Sequence, residues 1–114
     1  MTREKLESLH KIRKSVSALD KQMAVIKKSK EPGASAELRA LNLKKSRLLR
    51  EYEKNREEIQ KYIGALDRVS ARLIELRVLR DWQWIRIAAE IGGGNSDGSL
   101  RKRYWRIVRS LPLR

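Results

Sequence analysis

The sequence predicts an all-α protein. An N-terminal antiparallel helical hairpin, a coiled-coil-like arm over residues 1–65, precedes a small C-terminal helix-turn-helix domain over residues 66–114. Three observations carry this expectation. Apolar residues recur three and four apart along most of the chain, the spacing of one helix face. Breakers are few: six Gly and two Pro, gathered mainly at Pro32-Gly33 and at Gly92-Gly93-Gly94 with Gly98. Phe is absent and β-branched residues are sparse, which leaves no good strand candidate.

The first helix is expected from about Arg3 to Lys30, with Thr2 as its N-cap. Leu9, Ile12, Val16, Leu19, Met23 and Ile26 alternate steps of three and four, a narrow heptad seam flanked by charge. Lys27, Lys28 and Lys30 stand at its C-terminal end, where the helix dipole favours cations. Glu31-Pro32-Gly33-Ala34 is a turn, because proline stops a helix and disfavours helical geometry at the residue before it. The second helix is expected from an N-cap at Ser35 to about Ala65, with a seam of Leu38, Leu41, Lys45, Leu48, Tyr52, Asn55, Ile59, Tyr62 and Leu66. A short turn favours an antiparallel pair. Lys45 and Asn55 interrupt the seam; they either set its register or sit exposed where the hairpin frays. Gly64 marks a bend or the end of the arm.

Asp67 is the expected cap of a third helix, Arg68 to Arg80. Its apolar set, Val69, Leu73, Ile74, Leu76, Val78 and Leu79, is too wide for a two-helix seam and suits a helix inside a core. Residues 84–91 read Trp-Ile-Arg-Ile-Ala-Ala-Glu-Ile, then Gly92. Ala88 is the small residue a close helix crossing requires, and Gly92 supplies the positive φ of a sharp turn. Ser96 caps a last helix, and Leu100 packs back on the helix before it. On that last helix Leu100, Tyr104, Ile107, Val108 and Leu111 share one face; Lys102, Trp105, Arg106 and Arg109 share the other, with Arg101 and Arg103 flanking. A core face opposite a basic face is what a recognition helix in a DNA groove needs.

Charge agrees with such a partner. The 114 residues carry 28 basic and 14 acidic side chains, a net charge of +14. The field of such a chain attracts polyanions, nucleic acid before an anionic membrane surface, although a highly charged helical protein with no polyanion partner has the same composition. Residues 1–66 account for +8 of the total. Cysteine is absent and His10, a surface residue, is the only histidine, so neither disulfides nor a Cys/His zinc site is expected, and no metal or cofactor is. An enzyme is not expected either. The Gly92–Gly98 stretch lacks the Lys-Ser/Thr ending of a phosphate loop, no Ser/His/Asp set is at hand, and Glu57 and Glu58 do not share a face. The start has no apolar signal region, and no run of apolar residues is long enough to span a membrane, so the expected compartment is the cytoplasm.

Residues 66–111 resemble the helix-turn-helix of the promoter-reading C-terminal domain of bacterial sigma factors. They are closer to small phage-encoded proteins of the late-transcription-regulator type, the ArpU/RinA-like group. The resemblance rests on Leu76-Arg77-Val78-Leu79, then Trp84-Ile85-Arg86-Ile87-Ala88, then Gly92, then the Ser96-capped stretch to Leu111. The arm matches only in general character. Three departures stand out: Ile85-Arg86 replaces an acidic pair, Asp81 replaces a glycine, and the turn at Gly92-Gly93-Gly94-Asn95 is about two residues longer than a minimal one. The resemblance implies a sequence-specific regulator of transcription encoded by a phage or prophage, acting in the bacterial host cytoplasm on the nucleoid. RNA polymerase is a further candidate partner.

The geometry of such a motif assigns base edges to Asn95, Ser99, Arg101 and Lys102, at the start of the last helix. It assigns the DNA backbone to Gln83, Ser96, Arg103, Trp105, Arg106 and Arg109. Trp84 is assigned to the core and Asp97 to the helix cap. Two other readings fit the same layout: a phage small terminase subunit, which packages DNA, and a helical adaptor that binds another protein. Residues 1–65 are the candidate self-association element, a dimer being favoured.

Overall fold

A computed structural model describes residues 1–114 and is all-helical, without strands. Helices α1 (Arg3–Lys27) and α2 (Ala34–Ile63) form the arm. Helices α3 (Arg68–Ile74), α4 (Trp84–Ile91) and α5 (Asp97–Ser110) follow, and α3 runs on into a π-helical segment at Glu75–Leu79. The molecule measures 59 × 27 × 19 Å, and the hairpin accounts for the long axis. No helix is long and apolar enough to cross a membrane.

The arm is antiparallel, as the pairs along it show. Lys5 meets Glu58 at 2.6 Å, Ser8 meets Asn55 at 2.9 Å, Arg13 meets Tyr52 at 2.9 Å and Asp20 meets Lys45 at 2.6 Å. Both polar interruptions of the seam therefore have partners on α1. Asn55 is buried and its amide donates to the Ser8 hydroxyl, which donates to the Lys5 carbonyl at 2.6 Å. A shift of one turn would strand that amide in an apolar seam, so Asn55 pins the register. Leu9, Ile12, Leu19 and Met23 of the predicted α1 seam are buried, joined by Leu6. On α2 only Asn55 and Ile59 are buried; the other seam residues are half-buried, as in a two-helix rod.

Several boundaries differ from expectation. Thr2 does cap α1, its hydroxyl accepting from the Lys5 amide, but α1 ends at Lys27 rather than Lys30. Ser35 is not the cap of α2. Gly33 holds that place in the left-handed region, φ 90°, without a side-chain bond, because the Pro32-Gly33 turn reverses the chain too sharply for an extended cap residue. Asp67 caps α3 through the Ser70 amide at 3.1 Å. The π segment replaces the last turn of the expected third helix, with the Arg80 amide reaching back to the Glu75 carbonyl at 3.0 Å.

Two apolar clusters lie on opposite sides of α3 and its π extension. Leu6, Leu9, Ile59, Ile74, Val78 and Val108 join the base of the arm to α5. Leu73, Leu76, Ile87 and Leu100 join α3 to α4 and α5. Helices therefore fall on either side of residue 65, while the hydrophobic core crosses it. The start of α1 and the segment after α5 close this core by direct hydrogen bonds. The amides of Arg3 and Glu4 donate to the carbonyls of Pro112 and Leu113 at 2.8 and 3.1 Å. The Arg3 guanidinium donates to the carbonyls of Val108 and Arg109 in the last turn of α5, the first of which also accepts from the Leu111 amide.

Because Ile74 is fully buried in the shared cluster, Ile74→Ala should lower stability by about 2–5 kcal/mol. All three tryptophans lie beyond residue 80 whereas the arm supplies most of the helix, so fluorescence and far-ultraviolet circular dichroism sample different parts. Urea unfolding of the variant should still give coincident midpoints by both probes; separate midpoints would show arm and C-terminal region melting apart.

Candidate functional site

Helices α3, α4 and α5 each touch the other two, with Ile87 of α4 and Leu100 of α5 fully buried between them. Half-buried Ala88 packs against the same cluster. The connection from α4 to α5 is short and built from glycine. Gly92 has φ 61° and ψ −148°, a combination open essentially to glycine alone, and Gly93 and Gly94 also have positive φ. No atom lies within 4 Å of where a Gly92 Cβ would stand, so backbone strain and not crowding sets the requirement. The Gly92 carbonyl accepts both from the Asn95 backbone amide at 3.2 Å and from its side-chain amide at 2.9 Å. Ser96 then caps α5 through the Ser99 amide at 3.1 Å, and Asp97 stands in the first turn, where the helix dipole favours an anion.

The entry to α4 is built differently. Asp81 has φ 56°, the only non-glycine residue in the left-handed region. Asp is among the few side chains other than glycine that accept that region. Its carboxylate lies 3.6 Å from Arg13 and 3.7 Å from His10, which fastens the reversal to α1. Arg13 also donates to the Val78 carbonyl at 3.0 Å and to Tyr52. Two arginines grip tryptophans here: Arg86 stacks 3.7 Å over Trp82, and Arg77 lies 4.8 Å over Trp84 while donating to the Trp82 carbonyl. Spacing alone does not assign Arg77 and Arg86 these roles. The gathering of Arg77, Arg80 and Arg86 around Trp82 and Trp84 is the signal that points to them.

Comparison with protein-family models, with curated proteins and with solved structures found no match to this chain.

Leu100 and Val108 of α5 are buried, and Tyr104, Ile107 and Leu111 are half-buried on the same side. Burial raises the Tyr104 hydroxyl above its ordinary value, and the Glu7 carboxylate adds to the shift. On the opposite side Lys102, Arg106 and Arg109 are exposed, recur at i, i+4 and i+7, and make no ion pair. Arg101 is also exposed, 3.7 Å from Asp97 and 5.9 Å over the Trp84 ring. Trp105 is 49% exposed, edge-on to Tyr104, and borders a cleft of about 280 Å³ shared with His10 and Lys11. Trp84 is half-buried against the α4–α5 cluster and edge-on to Tyr104.

Of the other predicted residues, all but Gln83 have internal duties. The Asn95 side chain closes the glycine turn, and the Ser99 hydroxyl donates to the Ser96 carbonyl at 2.9 Å. Arg103 turns toward α3, donating to Asp67 at 3.2 Å and Ser70 at 3.3 Å. Gln83 is exposed at the N-cap of α4 and makes no capping bond, so its amide is unengaged.

Gly92→Ala should cost about 1–3 kcal/mol from backbone strain, read as a lower thermal midpoint with far-ultraviolet dichroism preserved at low temperature. The site also sets an acid limb. Hydrogen bonds from Ser70 hold the Asp67 carboxyl below its ordinary 3.8, and the bond from Lys5 holds Glu58 below its ordinary 4.5. Lowered folded values mean stabilisation that is complete above the ordinary values and lost as pH falls through the lowered ones. The thermal midpoint should therefore decline below roughly pH 4, and the Asp67→Asn/Glu58→Gln double variant should show a shallower decline.

Proposed function

We propose that residues 82–111 are a DNA-binding helix-turn-helix, with α5 lying against the duplex. One observation carries the reading: α5 buries one face in the core and presents on the other an unpaired row of Lys102, Arg106 and Arg109. A cation already held by a carboxylate has less to offer phosphate, and these three are free. Arg101 and Lys102, nearest the start of α5, are the base-reading residues, with Arg106 and Arg109 on phosphate and Trp105 alongside the sugar-phosphate backbone. Gln83 and the open amides at the start of α4 supply a further phosphate contact. Asn95, Ser96 and Ser99 support α5 from its turn and cap, and Arg103 is turned toward Asp67 and Ser70, whereas Arg101 stays exposed with only a 3.7 Å contact to Asp97.

The role that fits is regulation of transcription, in line with the likeness of residues 66–111 to phage late-transcription regulators. The α1–α2 seam is filled within one chain, so self-association would use another surface. Selection from random duplexes at about 150 mM salt tests this role, because specific binders remain tight there. A defined motif supports a regulator, and palindromic half-sites add a dimer. Ring-shaped oligomers without a motif would instead indicate DNA packaging, and absence of duplex binding would indicate a protein adaptor.

Arg106→Ala should weaken binding to all duplexes alike and reduce the slope of log K against log salt by about 1. Arg101→Ala should relax preference at one base pair, by about 1–3 kcal/mol of discrimination. If both variants bind like the parent across a salt titration, α5 is not the contacting helix.

A further inference from the structure

The cations of the arm are not spread evenly along it. Its base, packed on α3 and α5, is close to neutral. Residues 1–10 hold two basic and two acidic side chains, and residues 51–66 hold three basic and four acidic. Residues 11–50, the outer part of the hairpin, hold twelve basic and three acidic. Two of those twelve are engaged, Lys45 by Asp20 and Arg13 by Asp81 and Tyr52; the others make no ion pair within 4 Å. From Leu38 to Arg50 α2 has no carboxylate at all, and Arg39, Lys44, Arg47 and Arg50 there are exposed. On α1 and its C-cap, Lys14, Lys21 and Lys28 repeat every seven residues on the face turned from the seam, also exposed.

Solvation alone does not call for this distribution. Like charges gathered on a slender rod repel and weaken it. At its base the same arm neutralises cations locally, Lys5 with Glu58 and Arg56 with Glu53. The outer part leaves them open, over a seam only two helices thick. Arg39 to Arg50 spans about 17 Å of helix, and duplex DNA presents about one phosphate charge per 1.7 Å of axis. A row of unpaired cations on that scale is complementary to a phosphate backbone.

We infer that the outer arm, residues 11–50, is a second DNA contact, gripping the duplex backbone without regard to sequence, outside the segment facing α5. This rests on the reading of α5 as the duplex-facing helix, and it makes the footprint longer than the helix-turn-helix requires.

The test uses the full chain with fluorescein-labelled 12- and 40-base-pair duplexes sharing one central sequence. Anisotropy is measured from about 50 to 300 mM salt. The arm variant replaces Arg39, Lys44, Arg47 and Arg50 together with Gln, a good helix former, and dichroism verifies its helix content. The variant should bind the 40-mer at least about tenfold more weakly, with the salt slope reduced by about 3 to 4, and should bind the 12-mer nearly as the parent does. Arg106→Ala should weaken both duplexes. An arm variant with the parent's affinity and slope on the 40-mer overturns the inference and leaves the α5 reading standing. If the arm variant loses the 40-mer while Arg106→Ala and Lys102→Ala do not, the arm contact holds and the α5 reading falls. A single-stranded 40-mer bound as tightly as the duplex, with the same arm dependence, overturns the assignment to duplex DNA.

Discussion

The burial of α3 on two sides is the constraint on which everything else hangs. Ile74 and Val78 belong to the cluster shared with the arm, and Leu73 and Leu76 to the cluster shared with α4 and α5. Each fully buried aliphatic side chain is worth about 1.5–3 kcal/mol removed from water, and neither cluster has a substitute for α3. The arm is therefore not a separate appendage tied on by a linker. Its base forms one wall of the core that holds α5 in place. The π segment belongs to the same constraint: an extra residue in the turn loosens the helical period just before the chain reverses at Asp81.

The orientation of α5 follows from that core, and the freedom of its outer cations follows from how the carboxylates are used. Of the acidic residues beyond 66, Asp67 engages Arg103, Glu75 and Glu90 engage Arg72, Asp81 engages Arg13, and Asp97 lies near Arg101. The pairs to Arg72 hold that guanidinium in its charged form above its ordinary range. Each anion meets a cation at the flank of α5 or away from it. Lys102, Arg106 and Arg109 are left unmatched because no element packs against their side of the helix.

Much of the fold was legible because it is local. Heptad spacing marked both arm helices, Thr2, Asp67 and Ser96 each cap the helix they precede, and the wide stripe of residues 69–79 announced a helix buried on more than one side. What escaped depends on partners distant in the chain. Arg103 is one basic residue among several until its contact with Asp67, 36 positions earlier, appears. Asn95 is a polar turn residue until its side chain is seen on the Gly92 carbonyl. Ser35 has the chemistry of a cap, but Pro32-Gly33 bends the chain one step sooner. The π segment leaves no local mark, since Leu73 with Leu76 and Ile74 with Val78 keep the ordinary helical steps of three and four.

The meeting of the start of α1 with the segment after α5 bears on how the protein holds together. The hairpin is held by contacts within residues 1–66, from Asp20–Lys45 near the turn to Lys5–Glu58 at the base. Its first turn is another matter, because Leu6 and Leu9 bury against Val108, and the amides of Arg3 and Glu4 are satisfied only by Pro112 and Leu113. Without those residues the base of the arm is apolar and its amides are unpaired. Closing that base completes α1 and fixes α5 through the same contacts.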